Sequence, residues 1–170
     1  MGVMGRIISQ MNAEGGNGVN ALRLYLVTDP ELCAGHGVVE TVRDAVRGGV
    51  TIVQLRDKMA KTSSLVEIGK ALRDILASTG VPLIINDDVE AAIAIGADGI
   101  HVGQSDMKAE DVRKKVGPNM MIGLSCESVA DASAADPEVV DYIGVSPVFA
   151  TPTKTNHSGA VGLQGLQDIA

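Results

Sequence analysis

Short apolar runs alternate with amphipathic segments along most of this chain. The runs are too short for typical helices and rich enough in β-branched residues to predict buried strands. They cover residues 22–27, 51–55, 82–85, 99–102, 120–124 and 140–145. Between them, apolar residues recur at the spacing of one helix face. One such stripe comprises Val38, Val42, Ala45 and Val46, and another comprises Leu65, Ile68, Leu72, Ile75 and Leu76.

Start and stop signals support this alternation of strands and helices. Glycine closes a helix easily because it accepts left-handed backbone angles. The glycines that precede predicted strands are Gly48, Gly49, Gly80, Gly96 and Gly117. At the opposite helix ends, Asp88 and either Ser63 or Ser64 are the predicted N-caps. Together these patterns predict six successive βα units, with parallel strands and right-handed crossovers.

Polar residues at the strand ends discriminate between the two folds that fit this repeat. A doubly wound open sheet needs functional groups mainly at its switch point, whereas a (βα)8 barrel gathers them around one end from all strands. Here polar clusters follow nearly every predicted strand, at residues 28–29, 54–58, 86–88, 101–106, 125–126 and 146–154. We therefore predict an α/β fold, a (βα)8 TIM barrel of which about six βα units are present.

Composition adds the domain organisation and excludes some partners. Residues 1–20 are rich in glycine and asparagine and form a predicted flexible leader, and residues 21–170 form the predicted barrel domain. With 45% hydrophobic but only 2% aromatic residues, the core must be aliphatic, as in buried parallel sheets. The net charge of −7 argues against nucleic acid or an anionic membrane as a partner, but not against a small anionic ligand.

Cysteine use and hydropathy indicate where the protein resides. Cys33 and Cys126 are far apart and show no CxxC spacing, as expected for reduced thiols. No run approaches the roughly 18 apolar residues that cross a bilayer, and the first residues do not resemble a signal peptide. We expect a cytoplasmic protein.

The cluster after the second predicted strand is suited to a pyrophosphate. Gln54, Arg56 and Lys58 share one side of an extended segment, so their side chains can converge. Arginine forks onto phosphate oxygens and lysine supplies a compact charge. The alternative is a solvated charged loop.

Two aspartates after the third and fourth predicted strands could supply a magnesium site. Mg²⁺ takes one or two carboxylates and completes its octahedron with water and phosphate oxygens. Asp87 and Asp106 could form that pair, while Asp88 is better placed as a helix cap; two unrelated loop aspartates are the alternative. His101 lies on the fourth strand itself, either in the site or as a hydrogen-bonded core histidine.

The loop after the sixth predicted strand carries hydroxyl groups and one cation. Thr151, Thr153 and Lys154 can donate directly to a phosphate. Two prolines in this loop restrict its backbone and lower the entropy lost when a ligand orders it. A plain flexible loop is the alternative.

These motifs, in this order, resemble those of the thiamin phosphate synthases. The resemblance runs from about residue 22 to residue 170 and is carried by residues 54–58, 86–88, 101–106 and 151–154. It implies a cytoplasmic, Mg²⁺-dependent transferase that joins hydroxymethylpyrimidine diphosphate to thiazole phosphate and releases pyrophosphate. The residues that it implies for binding the pyrimidine diphosphate are Gln54, Arg56, Lys58, Asn86, Ser125 and Lys154.

The resemblance also implies further roles in the site. Asp87 and Asp106 would bind Mg²⁺, and Thr151 and Thr153 would contact the thiazole phosphate. His101 and Gln104 belong to the substrate-binding set, and the catalytic set is Arg56, Lys58, Ser125 and Lys154. The expected partners are these small substrates and, as a possibility, further copies of the chain.

The carboxyl end of the sequence departs from the family pattern. Residues 165–170 fall inside the expected sixth helix, so we expect two βα units to be missing. The first and sixth strands would then be exposed edges, which favour aggregation or pairing with another chain. Two alternatives to the synthase follow: a thiazole tautomerase with the same barrel, and an inactive or partner-dependent barrel fragment.

Overall fold

The computed structural model describes residues 21–150 and 159–170, which form a single sheet covered by helices. All six predicted strands are confirmed, with bounds that shift by up to a few residues. The strands are β1 (Tyr25–Val27), β2 (Ile52–Leu55), β3 (Leu83–Asn86), β4 (Gly99–Val102), β5 (Met121–Cys126) and β6 (Tyr142–Val145).

Helices follow every strand, as the repeated unit requires. They are α1 (Pro30–Cys33), α2 (Val38–Arg47), α3 (Thr62–Leu76), α4 (Val89–Ile95), α5 (Ala109–Val116), α6 (Val129–Ala134) and α7 (Gly162–Ile169). The two predicted apolar stripes lie on α2 and α3. Val42 of α2 and Leu72 of α3 are fully buried, so each stripe is the face that covers the sheet.

The strands pair in parallel and in the order of the sequence, β1-β2-β3-β4-β5-β6. Such an order has no switch point and therefore excludes the doubly wound alternative. The sheet is also strongly curved. In a flat sheet, β1 and β6 would lie about 24 Å apart, five spacings of roughly 4.8 Å, yet the hydroxyl oxygens of Tyr25 and Tyr142 are 2.7 Å apart.

The fold is therefore a half-barrel of six parallel strands. The described residues contribute six of the eight strands that a complete barrel would have. Along each strand, side chains alternate between the helix-covered outside and the concave inside. On β2, for example, Val53 and Leu55 belong to the apolar core, while Gln54 between them lines the inside.

Helix starts bear out one predicted cap and contradict the other. Asp88 caps α4, because its carboxylate accepts a hydrogen bond from the Ala91 amide at 2.8 Å. Ser63 and Ser64 do not cap α3; that prediction was wrong. The extended residue before α3 is Lys61, whose side chain makes no capping hydrogen bond, and both serines already lie inside the first turn.

Three helices end at predicted glycines, Gly48, Gly96 and Gly117, whereas the C-cap of α3 is Ala77 and not the predicted Gly80. Gly96 ends α4 in the left-handed conformation, with φ of 66°, and its amide bonds back to the helix. Gly117 ends α5 with φ of 74°. The short helix α1 was not predicted; it begins because Asp29 accepts hydrogen bonds from the Glu31 and Leu32 amides.

At the amino-terminal ends of the strands, two aspartates tie neighbouring units together. Asp98 precedes β4 and accepts from the first amide of β3, that of Leu83, at 2.8 Å. Asp141 precedes β6 and accepts from the Ile122 amide of β5, also at 2.8 Å. Arg113 of α5 pairs with Asp141 at 2.7 Å and donates as well to the carbonyls of Gly117, Met120 and Val139.

Both cysteines are free and buried, as predicted for reduced thiols. Within the described ranges, no helix has the length and apolar character needed to cross a membrane.

Candidate active site

A cavity of about 980 Å³ lies where the carboxyl ends of the strands meet, and we call it the mouth cavity. Every predicted site residue within the described ranges lines it. These residues are Gln54, Arg56, Lys58, Asn86, Asp87, His101, Gln104, Asp106 and Ser125. Thr151, Thr153 and Lys154 lie outside the described residues, so their predicted roles stay predictions.

The floor of the mouth cavity is a chain of hydrogen-bonded side chains from five strands. Gln54 donates through Nε2 to the hydroxyl of Tyr25 at 2.9 Å, and this hydroxyl lies 2.7 Å from that of Tyr142. His101 bridges the next pair, with Nδ1 3.1 Å from the Tyr142 hydroxyl and Nε2 2.9 Å from Oγ of Ser125. The floor is therefore polar but internally satisfied.

Both tyrosines of this floor are neutral at ordinary pH, and burial moves the pKa of each further above neutral pH. It raises the pKa of Tyr25, although the hydrogen bonds with Tyr142 and Gln54 partly oppose that effect. The pKa of Tyr142 is raised well above its usual value, chiefly by burial and then by the neighbouring Tyr25. Both hydroxyls therefore add no charge to the cavity and take part in the hydrogen-bond chain of its floor.

His101 satisfies both sequence interpretations at once. It is almost completely buried and both ring nitrogens have partners, as a core histidine requires. It also lines the mouth cavity. Two glycines make room for its ring: a side chain at Gly123 would overlap His101 and Tyr142, and one at Gly144 would lie 3.1 Å from His101 Cε1.

Tyr25 and Tyr142 are site residues that sequence reasoning missed. They are the only two tyrosines in a chain with 2% aromatic residues. Each lies in a predicted strand, so scarcity and position were available signals. Their meeting could not be predicted, because it depends on how far the sheet curls.

The cationic side of the mouth cavity is built by Arg56 and Lys58. The Arg56 side chain is only 23% exposed and its Nη1 lies 3.9 Å from Asp29 Oδ2. Lys58 Nζ lies 3.1 Å from Asp87 Oδ2. Burial in a cavity wall argues against a simply solvated charged loop at Arg56.

Asp87 is held in an unusual backbone conformation, with φ of 61°. Its amide donates to the His101 carbonyl at 2.9 Å, and its Oδ1 accepts from Asn86 Nδ2 at 2.8 Å. Burial raises the pKa of Asp87; Lys58 opposes the shift, and Asp106 adds to it through its charge and a side-chain hydrogen bond. The fold thus holds Asp87 and Asp106 close together against their repulsion.

This pair fits the donor set of a magnesium ion. A divalent cation between the two carboxylates would relieve the repulsion that raises the pKa of Asp87. The described residues contain no group of three or more His, Cys, Asp or Glu side chains that could hold a metal. Two carboxylates without further side-chain ligands are what Mg²⁺ uses when phosphate oxygens and water complete its shell.

The fold and site define a class of protein: α/β half-barrels in which basic side chains line a cavity at the carboxyl ends of parallel strands. Within that class, a model of the thiamine monophosphate synthase family matches residues 24–170. The chain belongs to the thiamine monophosphate synthase family.

Individual relatives agree with the family match. The chain is 52% identical over 141 residues to a thiamine-phosphate synthase of Xanthobacter autotrophicus, covering 83% of this chain and 67% of that one. It is 49% identical over 149 residues to a thiamine-phosphate synthase of Vibrio campbellii, covering 88% of this chain and 72% of the relative. The names of these relatives do not favour the tautomerase alternative.

A solved structure shares the fold. The thiamine phosphate pyrophosphorylase from Pyrococcus furiosus superposes with a TM-score of 0.78 at 37% sequence identity. The match covers 88% of this chain and 70% of that chain. The shared architecture therefore includes nearly all of the described half-barrel.

Proposed function

We propose that the mouth cavity joins hydroxymethylpyrimidine diphosphate to thiazole phosphate, giving thiamin phosphate and pyrophosphate. The observation that carries this proposal is the division of one cavity into two parts. Arg56, Lys58 and the Asp87–Asp106 pair form a charged side, and the tyrosine–histidine chain forms a neutral polar floor. A diphosphate with an uncharged aromatic ring has the same two parts. The family match supports the same assignment.

The roles of the residues follow from this division. Arg56 and Lys58, with Lys154, would hold the diphosphate by charge-assisted hydrogen bonds. Gln54, Asn86, His101, Gln104 and Ser125 would orient the pyrimidine, and Thr151 and Thr153 would donate to the thiazole phosphate. Ser125 belongs to the catalytic set as well, since its hydroxyl faces the cavity from β5.

The reaction needs charge stabilisation more than proton transfer. The C–O bond to the diphosphate breaks and its electron pair leaves with pyrophosphate. The thiazole nitrogen lone pair forms the new bond to the methylene carbon, which leaves a positive thiazolium. Preplaced cations stabilise the departing anion, an effect worth about 10²–10³ in rate for each group removed. No base-activated nucleophile is required.

Asp87 and Asp106 would hold Mg²⁺, as their proximity and their mutual repulsion suggest. When bound, this ion would supply positive charge to the diphosphate oxygens. Lys58, which is 3.1 Å from Asp87, would then be available to the diphosphate.

The wider architecture and setting belong to the same proposal. We propose a (βα)8 barrel to which the described residues contribute six strands. We place the reaction in the cytoplasm, which agrees with the free state of both cysteines.

The test is turnover with both substrates and Mg²⁺, followed as pyrophosphate release and thiamin phosphate formation. We expect Lys58→Ala to lower kcat by about 10²-fold, because it removes one preplaced cation. Lys115→Ala is the matched control: both lysines are about half exposed, at 49% and 47%, and each pairs with one acid. Lys115 is absent from the lining of the mouth cavity and should leave kcat unchanged.

The metal assignment has its own test in the double variant Asp87→Ala with Asp106→Ala. It should lose Mg²⁺-dependent turnover, and full turnover would contradict the assignment. If the unmodified chain forms no product until a second barrel fragment is added, the partner-dependent alternative is favoured instead.

A further inference from the structure

Thr28 and Asp29 directly follow β1 at the edge of the mouth cavity. The reaction described above assigns them no role. Both residues line the cavity, and both contact Arg56. Arg56 lies just beyond the end of β2, so strand pairing alone does not fix it.

Thr28 fixes the backbone of Arg56. Its side chain is buried, and its Oγ1 accepts a hydrogen bond from the Arg56 amide at 3.0 Å. The same oxygen lies 3.5 Å from the Arg56 carbonyl, and the Thr28 amide donates to the Gln54 carbonyl at 2.9 Å. Thr28 thus extends the contact between β1 and β2 by one residue beyond the carboxyl end of each strand.

Asp29 faces the side chain of Arg56 with a carboxylate whose direction is already set. Its Oδ1 accepts from the amides of Glu31 and Leu32, at 3.0 and 3.1 Å, as the cap of α1. Its Oδ2 is left facing Arg56 Nη1 at 3.9 Å, with Asp29 only 19% exposed. At that distance the contact is an ion pair and does not consume a guanidinium hydrogen bond.

We propose that Thr28 and Asp29 are positioning residues for Arg56. Together they hold the Arg56 guanidinium in the orientation in which it binds a diphosphate. This proposal rests on the proposed function. Ordering a long side chain before the ligand arrives removes part of the entropy that binding otherwise costs. Thr28 holds the backbone of Arg56, and Asp29 holds its guanidinium group.

The sign of the effect separates positioning from plain electrostatics. Asp29 places a negative charge beside a cavity proposed to bind an anion, so its charge by itself weakens anion binding. Removing that charge should therefore tighten binding if Asp29 acts only through the electrostatic field. It should weaken binding if Asp29 acts by holding Arg56.

Asp29→Asn is the informative variant. Asparagine caps helices about as well as aspartate, so α1 is retained while the charge facing Arg56 is lost. We expect the affinity for inorganic pyrophosphate, measured by calorimetry, to fall about five-fold, because binding must then order one long side chain that Asp29 no longer holds. Asp111→Asn, which removes an equal charge from the exposed surface of α5, should leave the affinity unchanged.

A second readout does not depend on ligand binding. Nitrogen NMR of the Arg56 guanidinium should show restricted rotation in the unmodified chain and free rotation in Asp29→Asn. Equal mobility in the two proteins, or tighter pyrophosphate binding by the variant, would overturn the proposal. A chain with an ordered Arg56 that binds no pyrophosphate would instead refute the proposed function and leave the positioning role of Asp29 in place.

Thr28 is tested by a conservative pair. Thr28→Ser keeps the hydroxyl and should preserve both the order of Arg56 and the affinity. Thr28→Val keeps the shape, removes the acceptor for the Arg56 amide, and should loosen Arg56. If Arg56 is equally ordered and the affinity is equal in the two variants, Thr28 has only a packing role.

Discussion

Asp87 is a site residue whose backbone conformation and charged carboxylate are both unfavourable in the folded protein. It adopts a left-handed conformation that L-residues other than Asn and Asp rarely adopt. Its carboxylate is partly buried and close to that of Asp106, and both effects raise its pKa. Compared with an aspartate in water, the folded state therefore makes the charged form of Asp87, which a metal ligand needs, less favourable.

Asp87→Asn should therefore stabilise the metal-free protein at neutral pH. Because the folded-state pKa of Asp87 lies above its ordinary 3.8, folded wild type binds the proton more tightly than unfolded wild type does. The contribution of Asp87 to stability is thus most favourable below pH 3.8 and is lost as pH rises through the raised pKa. Urea unfolding between pH 4 and 8 should show a gap in favour of the variant that widens with pH.

The control for this measurement is Asp111→Asn. Lys114 lowers the pKa of Asp111, so the same substitution there should not stabilise the protein at neutral pH. Adding Mg²⁺ should raise the stability of wild type and not that of Asp87→Asn. A variant less stable than wild type at pH 7 would contradict the account of Asp87.

At this scale the sequence predicted the polar residues around the strand ends but not the two tyrosines. Arg56, Lys58, Asp87 and Asp106 follow strand ends, and parallel strands bring their carboxyl ends to one edge whatever the curvature. Tyr25 and Tyr142 are different, because their contact depends on the curl of the whole sheet. The local pattern of residues does not determine how far the sheet curls.

Among the elements, β5 shows how a missing side chain shapes the cavity floor. Gly123 lies in the middle of β5, opposite His101 of β4 and Tyr142 of β6. A Cβ at this position would overlap the Tyr142 ring and His101 Nδ1. The two rings can share the inside of the sheet only because position 123 has no side chain.

Gly123→Ala should therefore destabilise the protein by about 1–3 kcal/mol, the usual cost of overpacking a tight interior. Urea unfolding measures the loss, and near-ultraviolet circular dichroism should report a changed tyrosine environment. Gly35→Ala is the control, because a Cβ there meets nothing within 4 Å. Equal stability of the two variants would show that the floor can repack freely.

The elements themselves were largely predictable from residue pattern. Strands such as β4 were located to the residue, because a short β-branched run between glycines leaves little choice. The helix caps were harder. The cap at Asp88 was predicted correctly and the cap at Ser63 or Ser64 wrongly, since a cap depends on the backbone angle of one residue. The helix α1 is too short to show a periodic stripe.

Across the whole molecule, successive units are joined at the amino-terminal ends of the strands as well as through the sheet. Asp98 and Asp141 each accept a hydrogen bond from an amide near the start of the preceding strand, that of Leu83 and that of Ile122. Each also pairs with an arginine from a helix, Arg73 at 3.7 Å and Arg113 at 2.7 Å. The same arrangement thus recurs two units further along the chain.

Arg113→Ala should destabilise the half-barrel by about 2–4 kcal/mol, because it removes the cationic partner of the partly buried Asp141 carboxylate and the donor to the carbonyls of Gly117, Met120 and Val139. Arg113 and Asp141 are 19% and 18% exposed, so water can replace little of what is lost. Arg47→Ala, at a 73% exposed arginine, should change stability by much less. The free energy of unfolding from urea titrations compares the two variants. Similar losses would contradict the stabilising role of the Arg113–Asp141 pair.

The hydrogen bond between Tyr25 and Tyr142 has a consequence for the order in which the protein folds. It joins residues 117 positions apart, and closing a longer loop costs more chain entropy before the contact repays it. In the described sheet, by contrast, every strand pair is made between strands that are neighbours in sequence. During synthesis, β1 to β5 can therefore assemble as they emerge, and the floor of the cavity is completed only when β6 arrives.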